Sequence, residues 1–294
     1  MSDTTASLQR KIASARDLQS VVRTMKAMAA ASVGQYEKAV ISLNEYYRTV
    51  QLGLTASLRD ETNAAAATDP EQAVTAPIGV IVFGSDQGLV GQFNDVMVDF
   101  VESALAKLPG EKIVWAVGER IQSRLAETSL ATRASFVLPK VINAITPLVG
   151  EILTELETYR QRTSLSQVYV FHHRPCAGAL YDPVSQRLLP LDRTWQQTLT
   201  TLAWPSKALP EILNDPAATF LAFVREYLFV SLFRACAESL SSENASRLAA
   251  MQRAEKNIDE LLEDLRRGYH HLRQSSIDEE LFEVVSAFEA LGKP

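Results

Sequence analysis

The chain has 294 residues, 47% of them hydrophobic, and its 29 Lys and Arg against 35 Asp and Glu leave a net charge of -6. That balance excludes a general nucleic-acid binder, which needs a basic footprint, while the length suffices for one large core or two smaller ones. The opening MSDTTASLQR lacks a basic stretch leading into an apolar core, and no window of about 18 uninterrupted apolar residues occurs, so neither export nor direct membrane insertion is expected.

From Ala6 to Asp69 there is no proline, and apolar or small residues recur at steps of three and four, from Leu8, Ile12, Ala15, Leu18 and Val22 to Tyr46 and Val50. A mean step near 3.5 is the seam of a left-handed coiled coil. Residues 1–62 are therefore expected to form one long helix, closed by the small and polar run Glu61 to Pro70.

The middle of the chain, residues 76–200, changes character. Short β-rich runs at Ile78 to Phe83, Lys112 to Val117, Arg133 to Leu138 and Gln167 to His172 alternate with helical patterns at Gln92 to Lys107, Gly118 to Glu127 and Pro147 to Arg162. Strands separated by helices predict a largely parallel sheet with helical crossovers, a Rossmann-like α/β domain. Tyr181 to Leu191 adds a candidate edge strand, and Trp195 to Asp215 reads as a connector.

Residues 216–292 repeat the helical seam, from Ala237 and Leu240 through Met251, Leu262 and Leu265 to Ile277, Leu281, Val284 and Phe288. Apolar stripes at opposite ends of one chain cover each other if the helices run antiparallel. On that basis Val22 is expected near Ile277, and Val50 near Phe220 to Leu240.

Candidate chemistry is sparse. GSDQGLVGQ, Gly84 to Gln92, stands between a strand and a helix where phosphate is cradled in nucleotide-binding folds, but it has neither GxGxxG spacing nor a P-loop lysine. Its glycines fit tight turns and close packing, with Ser85 or Asp86 capping a turn. His172, His173 and Cys176 form HHRPC, yet adjacent strand residues point to opposite faces, so the two imidazoles do not share a metal. Cys176 and Cys236 lie far apart without a CxxC pair and read as structural thiols of a reducing compartment. There is no GxSxG or HExxH. No catalytic residue, cofactor site or metal site is expected.

Three separated segments carry a family resemblance. The last helix contains SENASRLAAMQRAEKNIDELLEDL and later YHHLRQSSIDEELFEVVSAFEAL, the first helix contains RKIASARDLQSVVRTMKAMAAAS, and GSDQGLVGQFN lies between them. Together these resemble the gamma subunits of F-type ATP synthases, in family order and across the whole chain. Asp278, Ala287, Phe288, Gln87, Val90 and Ser32 depart from the usual pattern, which marks a divergent member.

The resemblance implies a rotating central shaft that couples ion flow through a membrane ring to ATP synthesis in a catalytic head. Its implied partners are the alpha and beta catalytic subunits, the epsilon subunit and the c-ring. The implied location is peripheral, on the cytoplasmic face of a bacterial inner membrane. By motif carry-over, Arg247, Gln274 and Glu280 on the last helix are expected to meet the alpha/beta head, as polar residues whose substitution leaves the fold intact, and Arg23, Met25 and Lys26 on the first helix are expected to lie close by. Two rival readings stand beside it: a small nucleotide-binding enzyme, and a coiled-coil scaffold without a rotary role.

Overall fold

In the computed structural model, which describes residues 4–58, 76–130, 132–176, 179–191, 199, 204–208, 210–213 and 215–291, the β-rich runs form one five-stranded sheet. The strands are β1 (Ile78–Phe83), β2 (Lys112–Val117), β3 (Thr132–Phe136), β4 (Gln167–Cys176) and β5 (Ala179–Leu189), in the spatial order β3-β2-β1-β4-β5. The first four are mutually parallel, and β5 lies antiparallel on the edge of β4. The helices α2 (Phe93–Leu105), α3 (Glu119–Leu125) and α4 (Ile145–Arg162) supply the crossovers. The expected mixed α/β, mostly parallel architecture is thus present. The closing run Glu61 to Pro70 and much of the Trp195 to Asp215 connector lie outside the described residues.

Strand β1 is buried at every position because helices cover both of its faces, the reason IGVIVF is an unbroken apolar run. Alternation then splits it. Ile78, Val80 and Val82 join α2 and α3 residues such as Met97, Val101 and Ile121, whereas Ile81 and Phe83 join Ile145, Val149 and Ile152 of α4. The α4 face also gathers Val50 and Leu54 of α1 (Thr5–Ser57) and Tyr227, Leu228 and Val230 of α5 (Pro216–Leu291). Val50 therefore meets the Phe220 to Leu240 region, as expected. The two helices approach so closely there that a Cβ on Gly53 would stand 2.2 Å from the Phe223 ring.

Contacts divide the chain into two units, one of residues 1–29 with 248–294 and one of residues 30–247. In the first, α1 and α5 run antiparallel. Gln9 Nε2 donates to Tyr269 Oη at 2.8 Å, Gln19 bonds to Asp259, and Arg23 Nε donates to Glu255 Oε1 at 2.9 Å. Ile12, Ala15 and Leu262 form the buried seam, with Ile258, Leu265 and Tyr269 packed against it.

This register corrects two expectations. Val22 lies one residue from Arg23, whose partner is Glu255, so it does not face Ile277. The seam also stops short: Ile277, Leu281, Val284 and Phe288 are 53 to 79% exposed, since the described α1 starts at Thr5 and the antiparallel register puts no described α1 residue against them. Leu18 and Tyr46, both assigned to the seam by spacing, are exposed as well.

Candidate partner-contact surface

The expected contact residues fall into two settings. In the first unit, Arg23 and Lys26 converge on one carboxylate, Glu255, from neighbouring turns of α1. Hydrogen bonds from Lys26 and then Arg23 hold that carboxyl below its usual range. Arg23 remains 57% exposed and Lys26 35%, and Met25 between them is half-buried, so this segment shows solvent a cationic rim around a thioether. Gln274 and Glu280 are exposed further along α5. Glu255 was not singled out from the sequence; its only signal is a charge opposite two cations on a helix 229 residues away.

Arg247 belongs to the second unit and is placed differently. Its Nη2 donates to Glu243 Oε1 at 2.6 Å, and the two side chains are only 13% and 7% exposed. Its Nε has no hydrogen-bond partner among the described residues. Arg247 is therefore not the solvated helix-face position expected from the sequence, but one half of an i,i+4 ion pair almost shut off from water. The neighbouring Ser246 Oγ donates to the Val90 carbonyl at 2.6 Å, tying this part of α5 to the GSDQGLVGQ loop.

That loop is organised by packing and capping. Asp86 accepts from the Glu119 amide through Oδ1 and from the Leu138 amide through Oδ2, both at 3.0 Å, so one carboxylate joins the β1 exit, the start of α3 and the β3 exit. Asn94 Oδ1 accepts from the Ser85 amide at 3.0 Å. Gly118 has φ +121°, and a Cβ there would stand 2.8 Å from the Ser85 carbonyl oxygen. The close approach that a phosphate would need is taken up by the protein's own backbone and side chains.

The histidines of HHRPC point into different layers, as strand alternation requires. His172 Nε2 lies 2.8 Å from Glu238 Oε2 on α5, and His173 Nε2 lies 2.8 Å from the Phe93 carbonyl at the start of α2. Burial pushes the basicity of both rings down, that of His173 to about 4, and its ring lies between Phe93 and Tyr181. Cys236 is buried, with its thiol pushed far up by desolvation, and is unsuited to act as a nucleophile.

Comparison with known proteins matches residues 4–291 to a family model described as ATP synthase. The chain is 25% identical over 284 residues to the ATP synthase gamma chain of Desulfitobacterium hafniense, spanning 97% of this chain and 98% of that one. It is 26% identical over 313 residues to the gamma chain of Nostoc, spanning 97% and 98%. Among solved structures, the mitochondrial ATP synthase rotor of Euglena gracilis has the same fold, with a TM-score of 0.65 at 15% identity over 93% of this chain and 98% of that one. The central stalk and c-ring structure from Tetrahymena thermophila gives 0.60 at 21%, over 80% and 99%.

Proposed function

The chain belongs to the ATP synthase family, and on that premise we propose that it works as the gamma subunit, the non-catalytic shaft whose turning couples ion flow to ATP synthesis or hydrolysis. The observation that carries this reading is the family match from residue 4 to residue 291, which takes in both long helices and the sheet between them. Relatives named as gamma chains match at nearly full length on both sides. No helix of the described residues is long and apolar enough to cross a membrane, so the chain would join a membrane-associated complex through other subunits.

In this reading residues 1–62 and 216–292 form the shaft and residues 76–200 the body that engages the epsilon subunit and the c-ring. The alpha and beta subunits surround the shaft, and nucleotide and its bond chemistry belong to them. Arg23, Met25, Lys26, Gln274 and Glu280 contact that head. Exposed polar groups suit such a surface, since each contributes only about 0 to 1 kcal/mol and can part and re-form at every step. Arg247 contributes from a position it shares with Glu243. Bacterial gamma chains among the relatives favour the cytoplasmic face of a bacterial inner membrane.

Co-expression of this chain with alpha and beta subunits of the same source tests the reading. A complex of this chain with alpha and beta subunits, whose ATP hydrolysis turns a bead fixed to this chain, is the expected result. A chain that never co-purifies with alpha and beta subunits, or a complex that hydrolyses ATP without turning it, would sink the rotary reading and favour the scaffold.

A further inference from the structure

One buried carboxylate, the partner of His172, takes no part in the proposed contact surface. Glu238 on α5 is 3% exposed and receives three donors: Arg234 Nε at 2.7 Å, one turn earlier on the same helix, His172 Nε2 at 2.8 Å, and Arg174 Nε at 3.1 Å. His172 and Arg174 are two residues apart on β4 and so share a face of that strand; they follow Phe171, the last β4 residue paired with β1, and are themselves paired with β5. A single side chain thus ties β4 to α5, a helix that continues unbroken to Leu291. Burial alone would raise the Glu238 carboxyl, yet the bonds from His172 and Arg234 hold it down to about 2, so it is ionised at neutral pH. His172, desolvated and neutral, donates through Nε2; its Nδ1 has no partner among the described residues.

The apolar contacts around this point are non-directional and do not by themselves single out one axial position of the helix. Three charge-assisted bonds converging on one carboxylate are directional, and displacement of the helix along or around its axis stretches all of the strand-borne ones together. We propose that Glu238 is a torque-bearing positioning residue, the anchor through which rotation of the sheet is passed to α5. This rests on the shaft reading above.

The test uses the complete ATP synthase in vesicles, comparing wild type, Glu238→Gln and Glu238→Asp. The readouts are subunit content, ATP hydrolysis, ions pumped per ATP, and the torsional fluctuation of a bead on the sheet while the head is stalled. Glu238→Gln is expected to keep hydrolysis near the wild-type rate, pump severalfold fewer ions per ATP and fluctuate more widely, with Glu238→Asp restoring part of both. Wild-type coupling and stiffness in Glu238→Gln would overturn the proposal, as would hydrolysis and pumping falling together in proportion to lost assembly. Should Glu238→Gln fail to assemble, Arg174→Gln removes one donor from a side chain that is 47% exposed. That variant must then show the softer rotor, and normal stiffness in it overturns the proposal. A wild-type complex that neither rotates nor pumps would refute the shaft reading itself.

Discussion

Arg247 Nη2 meets Glu243 Oε1 at 2.6 Å, one turn apart on α5 and almost shut off from water. Burial holds the Glu243 carboxyl above its usual range even with the guanidinium beside it, so desolvation outweighs attraction. Such a pair adds little over apolar packing, but breaking it strands a buried charge.

Arg247→Ala is accordingly expected to destabilise the chain by about 3 kcal/mol, whereas Glu243→Leu combined with Arg247→Met recovers most of the loss. Urea unfolding of the variants checks this. A single substitution as stable as wild type would mean the pair is solvated, and Arg247 would revert to a pure surface contact.

Acid is expected to weaken the second unit through His173. Its folded value of about 4 lies below the ordinary 6.5, so the unfolded chain takes up the proton first. Stability is fully present above pH 6.5 and falls as pH drops from there towards 4, by about 2 kcal/mol at pH 5. His172, also depressed by burial, adds in the same direction. Glu238 contributes only lower, between its ordinary 4.5 and about 2. Unfolding free energies at pH 7.5 and pH 5 should differ accordingly, and His173→Gln should flatten the dependence.

The register makes a prediction about cross-linking. Cysteines at Gln19 and Asp259, whose side chains bond to each other, should join through a short bis-maleimide, while cysteines at Gln19 and Ile277 should not. The reverse outcome would shift α1 against α5 by several turns.

Leu262 is 3% exposed in the seam with Ile12 and Ala15. Leu262→Ala should therefore cost about 2 to 4 kcal/mol, and the half-buried Leu265 less. Equal losses at the two positions, in thermal or urea unfolding, would contradict the burial difference.

Gly118→Ala should destabilise by about 1 to 3 kcal/mol, because φ +121° disfavours a side chain and the added methyl meets the Ser85 carbonyl. A neutral substitution would show that this turn relaxes freely.

The sheet was readable from the sequence because β1, β2 and the first half of β4 are short, largely apolar runs between helical patterns, and local periodicity carries that information. Helix register was not. A coiled-coil stripe looks the same after a slide of one heptad, so spacing alone placed Val22 against Ile277; Gln19 with Asp259 and Arg23 with Glu255 set the actual pairing. Periodicity likewise says that a stripe is apolar but not whether a partner reaches it, which is why Leu281 and Phe288 were assigned to a buried seam. HHRPC attracted notice for metal chemistry, but the partner of His172 is Glu238, 66 residues away and invisible to any local pattern. Arg234 four residues before Glu238, and Glu243 four before Arg247, were the available hints, since i,i+4 charge pairs mark helix neighbours.

The last turns of α5, with Leu281, Phe282, Val284, Val285 and Phe288 all at least 49% exposed, have no second helix packed on them among the described residues. A lone segment of about 15 residues is marginal as a helix in water, and apolar side chains spread around it favour self-association over solubility. The order of this tip is then a property of assembly rather than of the chain. Purified alone, the protein should fray and clump at this end first, and amide exchange at residues 277–288 would report, in a single number, how much of a preparation has found its surroundings.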